Sequence, residues 1–241
     1  METRIDEIAD GIYRLSTFFS NIGGPRGFTF NQFLVTADEP LLFHCGQRPI
    51  HASMVAAMAR VLDPARLRWI TYSHNESDES GSLNEWLAAA PRATAMHGAL
   101  GCALWLNDWA IRPPRKLADN EVLDLGGKRV RYLDTPHVPH DLAAALLFEE
   151  TTQTLFCSDL FAHGGDDAPL TSGDVVAPAL AAEAAFPFTP VTAKTAPTLR
   201  RLAALKPRTL AIMHGQSFVG DAALPLEALA RHYETKFAAG I

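Results

Sequence analysis

Short apolar runs at period two, each cut off by turn residues, recur along this chain and most limit what it can fold into. Gly11 to Thr17 alternates apolar and polar residues, 28–36 follows a bend at Gly23-Gly24-Pro25, and 41–45 follows Asp38-Glu39-Pro40. A helical pattern over 50–62 puts Met54, Val55, Met58, Val61 and Leu62 on one side and stops before Pro64. Strand-like runs at 67–73 and 93–97 then alternate with helical runs at 82–90 and 99–106, with Ser80 or Ser82 available as N-cap. A second strand-rich block fills 121–161, with strands at 128–133, 143–148 and 154–157 and a hairpin turn at 149–152. Residues 162–177 read as a loop, and helices over 178–186, 192–205 and 224–238 surround a strand at 208–213. A half-buried strand needs another layer against its apolar face. Each half of the chain offers strands followed by helices, so the expectation is an α/β (α+β) αββα four-layer sandwich in a single domain over 1–241.

Composition narrows the class. Apolar residues are 48% and charged residues 20%, as in globular enzymes and binding proteins. Lys plus Arg number 21 against 27 Asp plus Glu, which argues against a general nucleic-acid binder; Arg112-Pro-Pro-Arg115-Lys116 is too short to reverse that. Cys45, Cys102 and Cys157 form neither a CxxC pair nor a disulfide framework, which fits a reducing cytoplasm. The charged N-terminus lacks a signal-like apolar run, and the longest apolar stretch, Leu142 to Phe148, is too short to span a bilayer. A cytoplasmic protein with neither nucleic acid nor membrane as partner is expected.

Chemistry concentrates in His74-Asn-Glu76-Ser-Asp78-Glu79-Ser-Gly81, where four metal-ligand types fall within six positions after an apolar strand. In extended chain, residues two apart share a side, so His74 and Glu76 can grip one ion while Asp78 and Glu79 face a second. Three further apolar strands end in ligand types: Thr135-Pro-His137-Val-Pro139-His140, Leu155-Phe-Cys-Ser-Asp159 and Ala211-Ile-Met-His214-Gly215. Strand ends meet at a sheet rim, where a site is both rigid and open to solvent.

This order of motifs resembles the metallo-β-lactamase superfamily across almost the whole chain. Most hydrolases of that superfamily carry His-x-His-x-Asp-His first. Glu76 instead resembles the flavodiiron proteins and the stand-alone oxygen-binding di-iron proteins; Ser80-Gly81, Asn31-Gln-Phe-Leu34 and Ser158-Asp159-Leu-Phe161 are consistent with this. The resemblance implies one iron held by His74, Glu76, His137 and a bridging Asp159. It implies a second held by Asp78, Asp159 and His214, with Glu79 standing where the family has histidine. Glu79 either binds through its carboxylate or points away and weakens that second site. No flavodoxin-like domain or flavin is expected in this chain, and a head-to-tail homodimer is what the resemblance implies.

Four carboxylates offset two divalent ions and favour hard metals and higher oxidation states, so iron is preferred over zinc or manganese. The expected function is binding or reduction of dioxygen or a related small oxidant, with an external electron donor or as a stoichiometric redox sensor. The alternative is a metal-dependent hydrolase of an ester, lactone or thioester working through a metal-bound hydroxide. His140 and His163 are candidate proton donors, with turn or loop roles as the other reading. His44 and His97 are candidate donors behind the ligands or structural residues. His51 and His232 fall on helical patterns as surface residues, Cys157 reads as a buried strand residue, and the four tryptophans read as core or interface anchors.

Overall fold

The computed structural model describes residues 2–240. Its first sheet holds seven strands in chain order: β1 (Thr3–Ala9), β2 (Ile12–Phe19), β3 (Phe28–Val35), β4 (Leu41–Phe43), β5 (Trp69–Thr71), β6 (Thr94–Gly98) and β7 (Arg115–Leu117). Neighbours from β1 to β4 are antiparallel and those from β4 to β7 parallel. Parallel neighbours need crossovers. These contain α1 (His51–Met58), the single turn α2 (Ser77–Ser80) and α3 (Leu83–Ala89). Between β6 and β7 run α4 (Ala99–Gly101), a π-helical turn at Cys102–Leu106 and α5 (Asn107–Trp109).

The second sheet contains β8 (Val122–Asp124), β9 (Arg129–Asp134), β10 (Ala145–Glu149), β11 (Thr154–Ser158), β12 (Leu170–Thr171), β13 (Thr209–Ile212) and β14 (Ser217–Val219). Their spatial order is β12-β14-β13-β11-β10-β9-β8. Helices α6 (Val176–Ala185), α7 (Thr195–Ala203) and α8 (Ala223–Ala238) complete this half. Among the described residues no helix is long and apolar enough to cross a membrane.

Period-two alternation explains the four layers. On β3, Phe33 and Val35 enter a core shared with Leu147, Phe156 and Ala211 of the second sheet, while Leu34 turns outward to Met54 and Met58 of α1. On β11, Phe156 points inward and Leu155 and Cys157 pack outward with Leu199, Leu202 and Leu226 of the second helical layer. Phe156 meets Phe33 at 5.7 Å and Phe43 at 5.4 Å between ring centroids, joining the two sheets. The αββα expectation therefore holds, built from strands apolar on both faces.

Several local expectations change. β1 escapes the sequence pattern because Asp6 and Glu7 interrupt its alternation, and β7, β8, β12 and β14 span only two or three residues each. The acidic run at 77–80 closes into a single helical turn ahead of α3. Ser82 stands at the start of α3 but makes no cap; its hydroxyl donates to the Cys45 carbonyl at 2.5 Å. His51 is half-buried, with its ring edge-on to Trp86 at 4.8 Å.

The architecture also sets the rim. β9, β11 and β13 run in one direction, because β10 is antiparallel to both β9 and β11 while β11 and β13 are parallel. Their C-terminal ends therefore reach the same edge. Ala145 N–H donates to the Ser73 carbonyl at 2.8 Å, tying the end of β5 to the same place. Phe156→Ala should cost about 3–5 kcal/mol; urea unfolding should show a lower midpoint with an unchanged slope.

Candidate metal centre

Side chains from both sheets converge at this edge. His74 follows β5, Glu76, Asp78 and Glu79 flank or occupy α2, His140 ends the turn after β9, Asp159 follows β11 and His214 follows β13. Three sets of donor atoms fall within 4.8 Å of one another: His74, His140 and Asp159; His74, Glu76 and Glu79; and Asp78, Glu79 and His214.

Asp159 spans the cluster. Its Oδ1 lies 3.1 Å from His214 Nε2, and its Oδ2 lies 3.3 Å from His74 Nε2 and 3.4 Å from His140 Nε2. His214 Nε2 also approaches Asp78 Oδ2 at 3.4 Å. On the other side, Glu76 Oε1 is 3.2 Å from His140 Nε2 and 3.9 Å from His74 Nε2. Glu79 is fully buried and belongs to two of the three sets, with Oε1 at 3.7 Å from His74 Nε2. Of the two alternatives the sequence leaves open for Glu79, the geometry takes the inward one.

The imidazoles are oriented from behind. His214 Nδ1–H donates to the Thr29 carbonyl at 2.8 Å, which turns Nε2 to the carboxylates. His74 Nδ1 hydrogen-bonds Ser73 Oγ at 2.6 Å, and Ser73 Oγ lies 2.6 Å from Ser158 Oγ, so serines from both sheets clasp behind this ring. With Nδ1 donating, His74 Nε2 offers a lone pair to the cluster. Asn31 bridges the sheets as its Nδ2 donates to the carbonyls of Ile212 at 2.9 Å and Gly215 at 3.0 Å. Buried Arg14 adds a bond of 3.3 Å to the Gly215 carbonyl.

His137 does not reach the cluster; His140 takes the place expected for it. The Thr135 hydroxyl donates to the Val138 carbonyl at 2.7 Å, and Val138 is locked into the second-sheet core. His137 adopts φ +65 with its N–H on the Asp141 carbonyl, leaving its side chain half-exposed outside all three donor sets. The chain then reverses and delivers His140 against His74, their Nε2 atoms 2.8 Å apart. His140 is thus a member of the cluster.

His163 is not placed as a donor either. Its Nδ1–H bonds the Phe161 carbonyl at 2.8 Å, and its Nε2 accepts the Gln216 N–H at 3.0 Å. Both ring nitrogens are spent holding the turn that carries His214. Gly215 is required there: at φ +104 its missing Cβ would lie 2.3 Å from the His163 ring. His97 Nε2 donates to the Ser73 carbonyl at 3.3 Å, and His44 packs on Phe43 with Nδ1 3.0 Å from Met213 Sδ. Neither touches a cluster carboxylate. Thr29 carries no recognisable signal in sequence, whereas Arg14, a cation inside an alternating apolar strand, does.

Electrostatics show an excess of negative charge. Burial raises the Glu79 carboxyl well above its usual range, and the neighbouring Asp78 and Asp159 push it further. Burial also disfavours ionised Asp159, but His214, His74 and His140 outweigh it and hold its carboxyl far below the usual range. Burial opposes charge on His214 while Asp159 and Asp78 prevail, raising it to about 10. His74 is lowered by burial; His140, though half-buried, is raised by Glu76 and Asp159.

These donors fit metal. Both Glu79 carboxylate oxygens are buried without a hydrogen-bond partner, an arrangement that is costly unless a proton or a cation lies there. Two imidazole nitrogens at 2.8 Å likewise need a proton or a metal between them. Carboxylate and imidazole together suit iron, manganese or zinc.

Comparison with known proteins gives the family and the fold. The sequence matches the family described as "ODP family beta lactamase" over residues 28–189, more than half of its length, and the chain belongs to that family. It has the metallo-β-lactamase-like fold of flavodiiron cores. Its backbone superposes on rubredoxin:oxygen oxidoreductase from Desulfovibrio gigas with a TM-score of 0.83 at 18% identity, covering 96% of this chain and 62% of that one. It superposes on the Flv1 flavodiiron core from Synechocystis with a TM-score of 0.82 at 21% identity, covering 98% and 61%. In sequence it is 28% identical over 151 residues to a putative diflavin flavoprotein A 1 of Thermosynechococcus vestitus, 61% of this chain and 26% of that protein. The chain thus spans about a quarter of the length of that relative.

Two outcomes follow for the cluster. Ser73→Ala should leave His74 free to turn and weaken metal binding about 10- to 100-fold, measured by competition with a chelating dye. In metal-free protein, His214 at about 10 against 6.5 unfolded stabilises the fold fully below pH 6.5 and loses that contribution as pH rises through 10. Melting temperature in chelator should therefore fall between pH 7 and 10, and His214→Ala should flatten the fall.

Proposed function

We propose that this chain is a non-haem di-iron protein that binds or reduces dioxygen or a related small oxidant. The observation that carries this reading is that Glu79 belongs to two donor sets while Asp159 turns one oxygen to His214 and the other to His74 and His140. His74, Glu76, His140 and Asp159 would hold one ion, and Asp78, Glu79, Asp159 and His214 the other. Four carboxylates against three imidazoles favour iron over zinc, since oxygen donors stabilise the ferric state and weaken Lewis acidity. When bound, two ferrous ions supply electrons and open coordination positions for a small oxidant.

The protein's own part is positioning. Asp159 sets the separation of the two halves, while Thr29, Ser73 and Ser158 fix the rings that face it. Phe28 stacks on His214 at 4.3 Å and Phe30 meets the same ring edge-on at 5.0 Å, keeping bulk water off that side. Half-exposed Glu76 marks the open side. The centre would take its electrons from a redox partner, or act once as a sensor. A homodimer is part of the same reading, checked by light scattering.

Metal analysis and spectroscopy test this. Protein loaded anaerobically with ferrous iron should bind two equivalents and develop ferric charge-transfer absorbance in air; no such absorbance sinks the redox reading. His140→Ala should lose at least one equivalent, whereas His137→Ala should retain both. Glu79→Gln should keep the folded protein but lower occupancy toward one iron per chain, read by elemental analysis.

A further inference from the structure

A cavity of about 640 Å³ opens directly onto the cluster. Its floor is formed by Glu76, Asp78, His140, Asp159 and His214, and its walls by Ile22, Phe28, Phe30, Ala182, Phe186 and Phe188. That volume equals roughly twenty water molecules, far beyond what a diatomic oxidant requires, and lies in the range of sites for organic ligands. Most of its wall is apolar, so it offers water few partners.

The wall is built rather than left over. Ala182 and Ala185 sit three apart on α6, so their small side chains keep one helix face clear of the cavity. Between them, buried Glu183 turns away and accepts bonds from Thr189 N–H at 3.1 Å and Thr189 Oγ1 at 3.2 Å. This pins the loop 186–189 and holds two aromatic rings over the opening. Phe188 lies against His140, with centroids 6.0 Å apart, while Phe186 stays 74% exposed. A large ring left in water at the mouth of an apolar cavity gains from any apolar body that covers it.

We infer that this cavity binds an organic molecule with an oxygen-donor head turned to the cluster and an apolar tail or ring along Phe28, Phe30, Phe186 and α6. This rests on the reading of the cluster as a metal centre. The three carboxylates at the floor, Glu76, Asp78 and Asp159, repel an anionic head, so the head binds only where cations have replaced protons there. The tail requires no metal, only the apolar wall.

Straight-chain hydroxamates from aceto- to octanohydroxamate test the inference, because their two oxygens chelate zinc as well as iron. Tail dependence is therefore read on whichever metal the protein carries, and failure to load iron overturns only the di-iron reading. By calorimetry, Kd should fall about two- to fourfold for each added methylene. Ala182→Phe should flatten that series without changing metal stoichiometry or acetohydroxamate affinity. Phe186→Ala should weaken only the longer tails. Equal Kd across the series in the wild-type protein, or an undiminished gradient in Ala182→Phe, would overturn the inference.

Discussion

Asp159 presents one carboxylate oxygen to His214 and the other to His74 and His140, and the structure around it serves to keep it there. A buried carboxylate between three rings is stable only if those rings are held against collapse and turned the right way. Ring orientation comes from groups that carry no charge: the Thr29 carbonyl, the Ser73 hydroxyl and its contact with Ser158. Because Ser73 follows a strand of one sheet and Ser158 ends a strand of the other, the clasp behind His74 also joins the layers. The packing of Phe156 between Phe33 and Phe43 sets the separation at which that clasp can form.

Charge is the second constraint. Glu79 is buried beside Asp78 and Asp159 and strongly resists ionising without a cation. Binding metal therefore means exchanging protons for cations, from Glu79 and from His214. The exchange ties the fold's response to pH to its metal content. Above this charged floor the cavity is almost wholly apolar, and the contrast separates a polar end, which selects a head group, from a wall that selects size and shape.

Much of this was legible in sequence. Alternating apolar strands gave the two sheets, because period-two burial needs a layer on each face, and four strand ends carrying His, Asp or Glu come together at one rim. Short edge strands escaped, since two or three residues carry no period. The exchange of His137 for His140 was hidden for another reason. Thr135-Pro-His-Val-Pro-His offers two histidines three residues apart, and which faces inward depends on Val138 being drawn into the core. His163 shows the same dependence: the sequence leaves it open between a proton donor and a loop residue, and in the fold both its nitrogens hold the turn.

Sequence by itself determined the residue types of the centre, the carboxylate excess that favours hard metals, and the strand pattern that forces a layered sandwich. These follow from composition and local period, which do not depend on distant contacts. Tertiary structure alone decided that Glu79 turns inward, that His140 replaces His137, and that Ala182 and Phe186 shape a cavity over the cluster. Those outcomes are settled by packing and hydrogen bonds that exist only in the folded chain, some between distant segments, as where Val138 enters the core, and some within one loop, as where Glu183 holds Thr189.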